Sequence, residues 1–243
     1  MSPTQQHRVG ARTPQGTASA GRAPGRTRQQ RLALISAIVL VIALAGGGVL
    51  ATVAASAGTG GAADGSAPTA APDPSVAEGR TWTSTLTTSA GDITLELDGA
   101  AAPQAVATFV TLAQARFFDG TDCHRLTTAG IYVLQCGDPT GTGGGGPGFS
   151  FGPIENAPAD DVYPAGTIAM ARRSNDGASM GSQFFLVYQD STIPSDAAGG
   201  YTVLGRITSG LDAVRAVADA GVAGGASDGA PATPVTIEGV EVQ

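Results

Sequence analysis

Apolar and polar positions alternate strictly over residues 93–98, where Ile93, Leu95 and Leu97 interleave with Thr94, Glu96 and Asp98. A period of two marks a strand with one buried face. The threonine-rich stretch Trp82–Thr87 precedes it, and Ser89-Ala90-Gly91-Asp92 supplies turn residues between the two, so a hairpin is predicted. The period changes at Pro103, which suits the first turn of a helix because its missing N–H has no partner there. Val106, Phe109, Val110 and Ala113 then form an i, i+3, i+4, i+7 stripe, which predicts a helix ending near Arg116, before Asp119-Gly120. Short strands and glycine-rich loops are predicted over 121–207. A second helix is predicted at about 210–220, with Leu211, Val214 and Val217 on one face, and a closing strand over 235–242. Many short strands with a helix near each end predict a mainly β fold, a closed antiparallel barrel capped by two helices.

Ahead of this domain the pattern is different. Residues 1–31 have little to bury and read as a disordered basic tail. Leu32 to Ala55 carries no charge and is long enough to span a bilayer as a helix. Residues 56–79, rich in Ala, Gly, Pro and Ser, read as a flexible linker, and the folded domain is expected over 80–243. No internal repeat is present. Six arginines precede the apolar stretch and none follows until Arg80, which puts the N-terminus in the cytoplasm and the domain outside. A cleaved signal peptide is the competing reading, since Ala55-Ser56-Ala57 has the small residues of a cleavage site; cleavage after Ala57 would give a secreted domain. A signal's apolar core is shorter, about 7–15 residues, so an uncleaved single-pass anchor is expected.

Charge narrows the partners. Residues 58–243 hold 7 arginines and 20 acids, and the whole chain has net charge −7 and no lysine. So acidic a domain excludes nucleic acid as a partner. A monomer is expected.

Two blocks hold the residues with chemical potential. The first runs Cys123-His124-Arg125-Leu126, then Ile131-Tyr132-Val133-Leu134-Gln135-Cys136-Gly137-Asp138; the second is Gly181-Ser182-Gln183-Phe184-Phe185. Together they resemble the signature blocks of the cyclophilin-type peptidyl-prolyl cis-trans isomerases, and the resemblance covers about residues 81–243. It implies an eight-stranded closed barrel, a proline-containing polypeptide as substrate, and a reaction that uses no metal and no cofactor. It implies Arg125 and Gln135 as the catalytic pair. It places Tyr132, Val133, Ala171, Gln183, Phe185, Ile193 and Tyr201 around the substrate, with Phe184 turned to the core. The chain departs from the family pattern at Val133, Cys136 and Arg172, where methionine, glycine and asparagine are usual, and it has no tryptophan near Thr192.

The implied chemistry is physically coherent. Partial double-bond character gives the peptide bond a rotation barrier of about 18–20 kcal/mol. In the twisted transition state the proline nitrogen becomes pyramidal and gains a lone pair. A donor aimed at that nitrogen stabilises the transition state more than the planar ground state, and that difference accelerates the reaction. A guanidinium is always charged and rigid. An isolated arginine is more often a surface ion-pair partner; the motif is what singles out Arg125.

Other readings are weaker. Gly141-Thr142-Gly143-Gly144-Gly145-Gly146 fits a dinucleotide loop on paper, but Pro147-Gly148 follows where a helix must open. Gly177-Ala178-Ser179-Met180-Gly181 fits a hydrolase elbow, but that fold needs its histidine after the serine, and His124 precedes it. Cys123, His124 and Cys136 form a poor zinc set, because neighbours on a strand point to opposite faces. In an external domain the two cysteines are expected to form a disulfide, since antiparallel pairing of strands 122–126 and 132–136, as the resemblance implies, places Cys123 opposite Cys136. The function expected is isomerisation of X–Pro bonds in extracytoplasmic proteins. The alternative is a chaperone of the same fold that binds proline segments without turnover.

Overall fold

The computed structural model describes residues 68–243. The tail expected over 1–31 and the spanning helix expected over 32–55 lie outside the described residues. Among the described residues no helix is long and apolar enough to cross a membrane.

The hairpin forms as its alternation predicts. β1 (Thr81–Thr88) pairs antiparallel with β2 (Ile93–Asp98), and Ile93, Leu95 and Leu97 are buried. Helix α1 (Pro103–Gln114) begins at the proline and buries Val106, Phe109, Val110 and Ala113. Its first turn lacks a side-chain cap of its own. Instead Glu155 accepts from the backbone N–H groups of Gln104 and Ala105 at 3.1 and 3.0 Å, a carboxylate placed where free N–H groups and the helix dipole favour it.

Short strands follow: β3 (Thr121–Asp122), β4 (Arg125–Thr127), β5 (Val133–Cys136), β6 (Val162–Tyr163), β7 (Thr167–Met170), β8 (Phe184–Val187) and β9 (Ser191–Thr192). The longer β10 (Val203–Ser209), helix α2 (Leu211–Asp219), β11 (Asp228–Gly229) and β12 (Thr236–Val242) complete the chain. Of the linker expected over 56–79, the part from residue 68 is described, and a 3-10 turn at Pro74–Ala77 lies against α1. There Ala77 is fully buried and accepts from the Trp82 indole N–H at 2.9 Å.

The sheet is a curled half-barrel, not the closed eight-stranded barrel expected. Ten strands run in the order β11-β4-β5-β8-β7-β10-β2-β1-β12-β3, leaving β11 and β3 as edges. The reason is local. β3 pairs with β12 and β4 pairs with β5, but Cys123 and His124 between them belong to neither strand, so the ladder breaks where closure would occur. The register also corrects the expected cysteine placement. Arg125 faces Gln135 and Leu126 faces Leu134, so Cys123 is not the residue across from Cys136; the Cys123–Cys136 disulfide joins the strands just past the end of their ladder, with Cα atoms 4.0 Å apart.

Alternation along β5 and β8 divides the interior in two. Leu134, Cys136, Phe184 and Leu186 face the main core with α1, where Phe184 packs on Phe109 and Phe118 at 5.5 and 5.7 Å between ring centres. Val133, Phe185 and Val187 point the other way and join Tyr163, Ala169 and Ile193 in a smaller apolar cluster. That second cluster floors the site.

Candidate active site

Four adjacent strands and the one beyond them carry a single lateral row of residues. Arg125 on β4 faces Gln135 on β5, Gln135 faces Phe185 on β8, Phe185 faces Ala169 on β7, and Ala169 faces Val203 on β10. Residues directly opposite in antiparallel strands share a face and lie close enough to interact. The row therefore sets a cation, an amide and an aromatic ring side by side, although 60 positions separate Arg125 from Phe185 in the sequence.

A cavity of about 110 Å³ opens on this face, lined by Arg125, Ile131, Val133, Gln135, Ala171, Arg172, Phe185, Ile193 and Tyr201. It is smaller than the roughly 150 Å³ apolar cavity that holds benzene, a size that suits one small saturated ring. The Phe185 ring packs edge-on to Tyr201, with centres 5.6 Å apart. A larger cavity of about 600 Å³ adjoins it, sharing Gln135, Ala171 and Arg172 and walled by the glycine-rich segment 143–148 with Gln183.

Side-chain hydrogen bonds tie the polar groups together. Arg125 Nη1 donates to Gln135 Oε1 at 3.3 Å, and Gln135 Nε2 donates to Gln183 Oε1 at 2.8 Å. Gln183 Nε2 in turn donates to the Gly143 and Gly145 carbonyls at 3.0 and 2.8 Å. That loop is held by Asp138, whose buried carboxylate accepts from the backbone N–H groups of Thr140, Gly143 and Gly145 and from the Thr140 hydroxyl. Burial is the largest single influence on Asp138 and raises its pKa, but the four hydrogen bonds together outweigh it and hold the group at about 2. A side chain at Gly145 would run into the Asp138 carboxylate, which is why the loop needs glycine there.

Of the residues predicted for substrate contact, Val133, Ala171, Phe185, Ile193 and Tyr201 line the smaller cavity with Arg125 and Gln135. Gln183 lines the adjoining one. Tyr132 lines neither: it packs on the main-core side, edge-on to Tyr188 at 6.0 Å. Side chains two apart on a strand share a face, so Ile131 takes the place expected of Tyr132, and the same period of two from Val133 and Gln135 identifies it. Cys123 and Cys136 lie behind the site in the main core. His124 has both ring nitrogens buried without a partner, and burial lowers its pKa.

Two further charged residues shape the site, Arg172, a departure from the family pattern, and Asp228, which lies in neither sequence block. Arg172 has no exposed side-chain surface; it makes a bidentate pair with Asp196, donates to the Arg173, Gly199 and Gly200 carbonyls, and stacks over the Tyr201 ring at 4.6 Å. Its donors are occupied, so it braces the Tyr201 wall and leaves Arg125 as the cation with donors to spare. Asp228, on β11, accepts from Arg125 Nε and Nη2 at 2.8 and 2.7 Å. No group of three or more His, Cys, Asp or Glu side chains among the described residues is placed to hold a metal ion.

Comparison with known proteins agrees with this geometry. The profile of the family described as "Cyclophilin type peptidyl-prolyl cis-trans isomerase/CLD" matches residues 83–242. The probable peptidyl-prolyl cis-trans isomerase B of Mycobacterium tuberculosis is 47% identical over 167 residues, covering 64% of this chain and 52% of that protein. The chain thus spans about half the length of that relative. Peptidyl-prolyl cis-trans isomerase cyp18 of Streptomyces antibioticus is 35% identical over 173 residues, covering 65% of this chain and 96% of that protein. Among solved structures, a cyclophilin type isomerase of Cryptosporidium parvum, crystallised in the presence of the dipeptide Ala-Pro, has a TM-score of 0.55 and 26% identity, covering 66% of this chain and 98% of that one. By its sequence blocks, its fold and the row of residues that lines its cavity, the chain belongs to the cyclophilin type peptidyl-prolyl cis-trans isomerase family.

Proposed function

We propose that the domain catalyses cis-trans isomerisation of X–Pro bonds. The observation that carries this is the placement of Arg125 and Gln135 in the wall of a ring-sized cavity whose apolar side is made by Val133, Phe185 and Ile193. A proline ring seated on Phe185 brings its nitrogen to the Arg125 side of the cavity. A guanidinium has five N–H donors. Three of Arg125's are engaged by Asp228 and Gln135, which leaves one on each terminal nitrogen for the substrate. A donor meeting the nitrogen as it becomes pyramidal stabilises the transition state more than the planar amide. Gln135, fixed between Arg125 and Gln183, holds that donor in direction, which is the preorganisation such electrostatic catalysis needs. The proline-containing substrate follows from the ring-sized cavity and from the family, one of whose structures was obtained with Ala-Pro.

We propose that the domain works on the outer side of a membrane, held there by the uncharged segment 32–55. The uncharged stretch, the arginines before it and the paired cysteines support this location. An N-terminal mass measurement on native protein tests the anchor: an intact N-terminus in the membrane fraction supports it, and a start after Ala57 contradicts it.

One observation favours the binding-only alternative, a proline-segment chaperone. Arg125 is already ion-paired with Asp228, which reduces the charge it offers a substrate. A proline-peptide isomerisation assay on the full chain separates the two. Turnover that is lost in Arg125→Ala supports the enzyme; peptide binding without turnover supports the chaperone.

A further inference from the structure

The carboxylate on Arg125 comes from a part of the chain that neither sequence block contains. Asp228 lies on β11, opposite Thr127 on β4, so it sits beside Arg125 on the edge of the sheet. The segment that presents it is tied at both ends. Val222 bridges Pro231, Ala223 N–H donates to the Ala230 carbonyl at 2.8 Å, Ala232 N–H donates to Gly221, and Thr128 N–H donates to Ser227 at 2.9 Å. The contact is two-pronged, Nε to Oδ1 and Nη2 to Oδ2. Such fork geometry constrains direction as well as distance.

Stability is a weak reason for the pair. The Arg125 and Asp228 side chains are 38% and 55% exposed, and exposed ion pairs contribute little. Orientation is a stronger one. Asp228 grips the guanidinium along its Nε–Nη2 edge, and Gln135 grips it at Nη1. With both edges held, the plane of the guanidinium is fixed, and so is the aim of its two remaining N–H groups. Each partner also perturbs the other's titration in the sense of a real pairing, Asp228 lowered and Arg125 raised.

We propose that Asp228 is a positioning residue for proline isomerisation, clamping Arg125 against Gln135 so that its free donors address the proline nitrogen. This rests on the isomerase reading above. Asp228 lines neither cavity, so it acts through Arg125 and not on the substrate.

The test compares wild type, Asp228→Ala and Asp228→Asn as full chains. It measures isomerase kcat/KM, affinity for an Ala-Pro peptide, and the NMR signal of the Arg125 Nε–H. In Asp228→Ala, kcat/KM is expected to fall about fivefold to tenfold, less than the roughly hundredfold that a misplacement of about 1 Å costs because Gln135 still holds Nη1, while peptide affinity stays within about twofold. Asp228→Asn keeps one oxygen acceptor and is expected to fall between. The Nε–H signal, protected from solvent exchange in wild type, is expected to broaden in Asp228→Ala. Wild-type turnover in Asp228→Ala, or matched losses of turnover and affinity, overturns the positioning role alone. A wild-type chain without turnover overturns the isomerase reading and this proposal with it.

Discussion

The side-chain amides of Gln135 and Gln183 are joined by a 2.8 Å hydrogen bond, and that bond fixes which end of Gln135 faces Arg125. With its NH₂ group donating to Gln183, Gln135 must present its oxygen to the guanidinium, as the 3.3 Å contact from Arg125 Nη1 shows. Gln183 is itself fixed by donating to two carbonyls of the glycine-rich loop. The loop therefore helps set the aim of an arginine on another strand.

That relay predicts the effect of Gln183→Leu. Gln135 loses the acceptor that orients it, and its amide can rotate. Isomerase kcat/KM is expected to drop about tenfold, equivalent to about 1.4 kcal/mol of transition-state stabilisation. The melting temperature should stay within a few degrees, because the bond is only part-buried. A protease-coupled assay on a proline peptide measures the first, and thermal denaturation the second.

Arg172 predicts a different outcome. Its side chain is wholly buried against Asp196, three backbone carbonyls and the Tyr201 ring. Arg172→Ala leaves those carbonyls and a carboxylate without their partner. Asp196 is 26% exposed and can regain water, but the carbonyls lose their donor, so the urea midpoint is expected to fall. The Tyr201 wall should loosen with it and weaken proline-peptide binding. Equal stability in Arg172→Ala would show that the pair braces nothing.

The disulfide predicts a redox dependence of stability. It closes a loop with a sequence separation of 13 residues. Reduction, or Cys123→Ser with Cys136→Ser, is expected to lower stability by about 2–4 kcal/mol. That corresponds to a fall in melting temperature of roughly 5–15 °C for a domain of this size. Two free thiols titrated in unreduced protein would contradict the bond.

His124 predicts how stability changes between neutral and mildly acid pH. Burial lowers its pKa from 6.5, the Arg125 charge acts in the same sense, and Asp138 opposes both. In the unfolded chain it takes up a proton as pH falls through 6.5, while the folded domain resists that proton until a lower pH. The unfolded state then holds more protons, so stability falls as pH drops below 6.5 and levels off once the folded group titrates. His124→Gln should flatten this part of the profile. Asp138 acts in a separate window: its contribution is intact above pH 3.8 and is lost as pH falls towards 2. A stability profile that is flat from about pH 7 to 5.5 in wild type would contradict the assignment to His124.

What the sequence disclosed follows from where burial is one-sided. β2 and α1 each bury one face, so Ile93, Leu95 and Leu97, and then Val106, Phe109 and Val110, declare their elements by period alone. Phe184 and Phe185 were separable for the same reason, since adjacent strand residues face opposite ways. Tyr132 is expected at the site by its position in a family pattern; it is Ile131, two residues from Val133, that lines the smaller cavity. The break at Cys123 and His124, which leaves the sheet open, depends on ladder register, and no local residue preference reports that. Asp228 stands 103 residues from Arg125 in a segment of glycine, alanine and aspartate without apolar periodicity, so only the folded chain brings them together. Arg172 was visible as a departure from the family pattern, but its meaning needed Asp196 from a distant turn.

The claim at the centre is that Arg125, set beside a proline pocket floored by Phe185, drives isomerisation. The most direct measurement is the rate of cis-trans interconversion of an Ala-Pro peptide, by NMR exchange, with full-length wild type, Arg125→Ala and Phe185→Ala. Wild type is expected to accelerate an exchange that takes tens to hundreds of seconds unaided. Arg125→Ala should lose at least about a hundredfold of that acceleration, or about 2.7 kcal/mol, while still binding the peptide. Phe185→Ala should lose binding and rate together. Equal acceleration by wild type and Arg125→Ala would contradict the account.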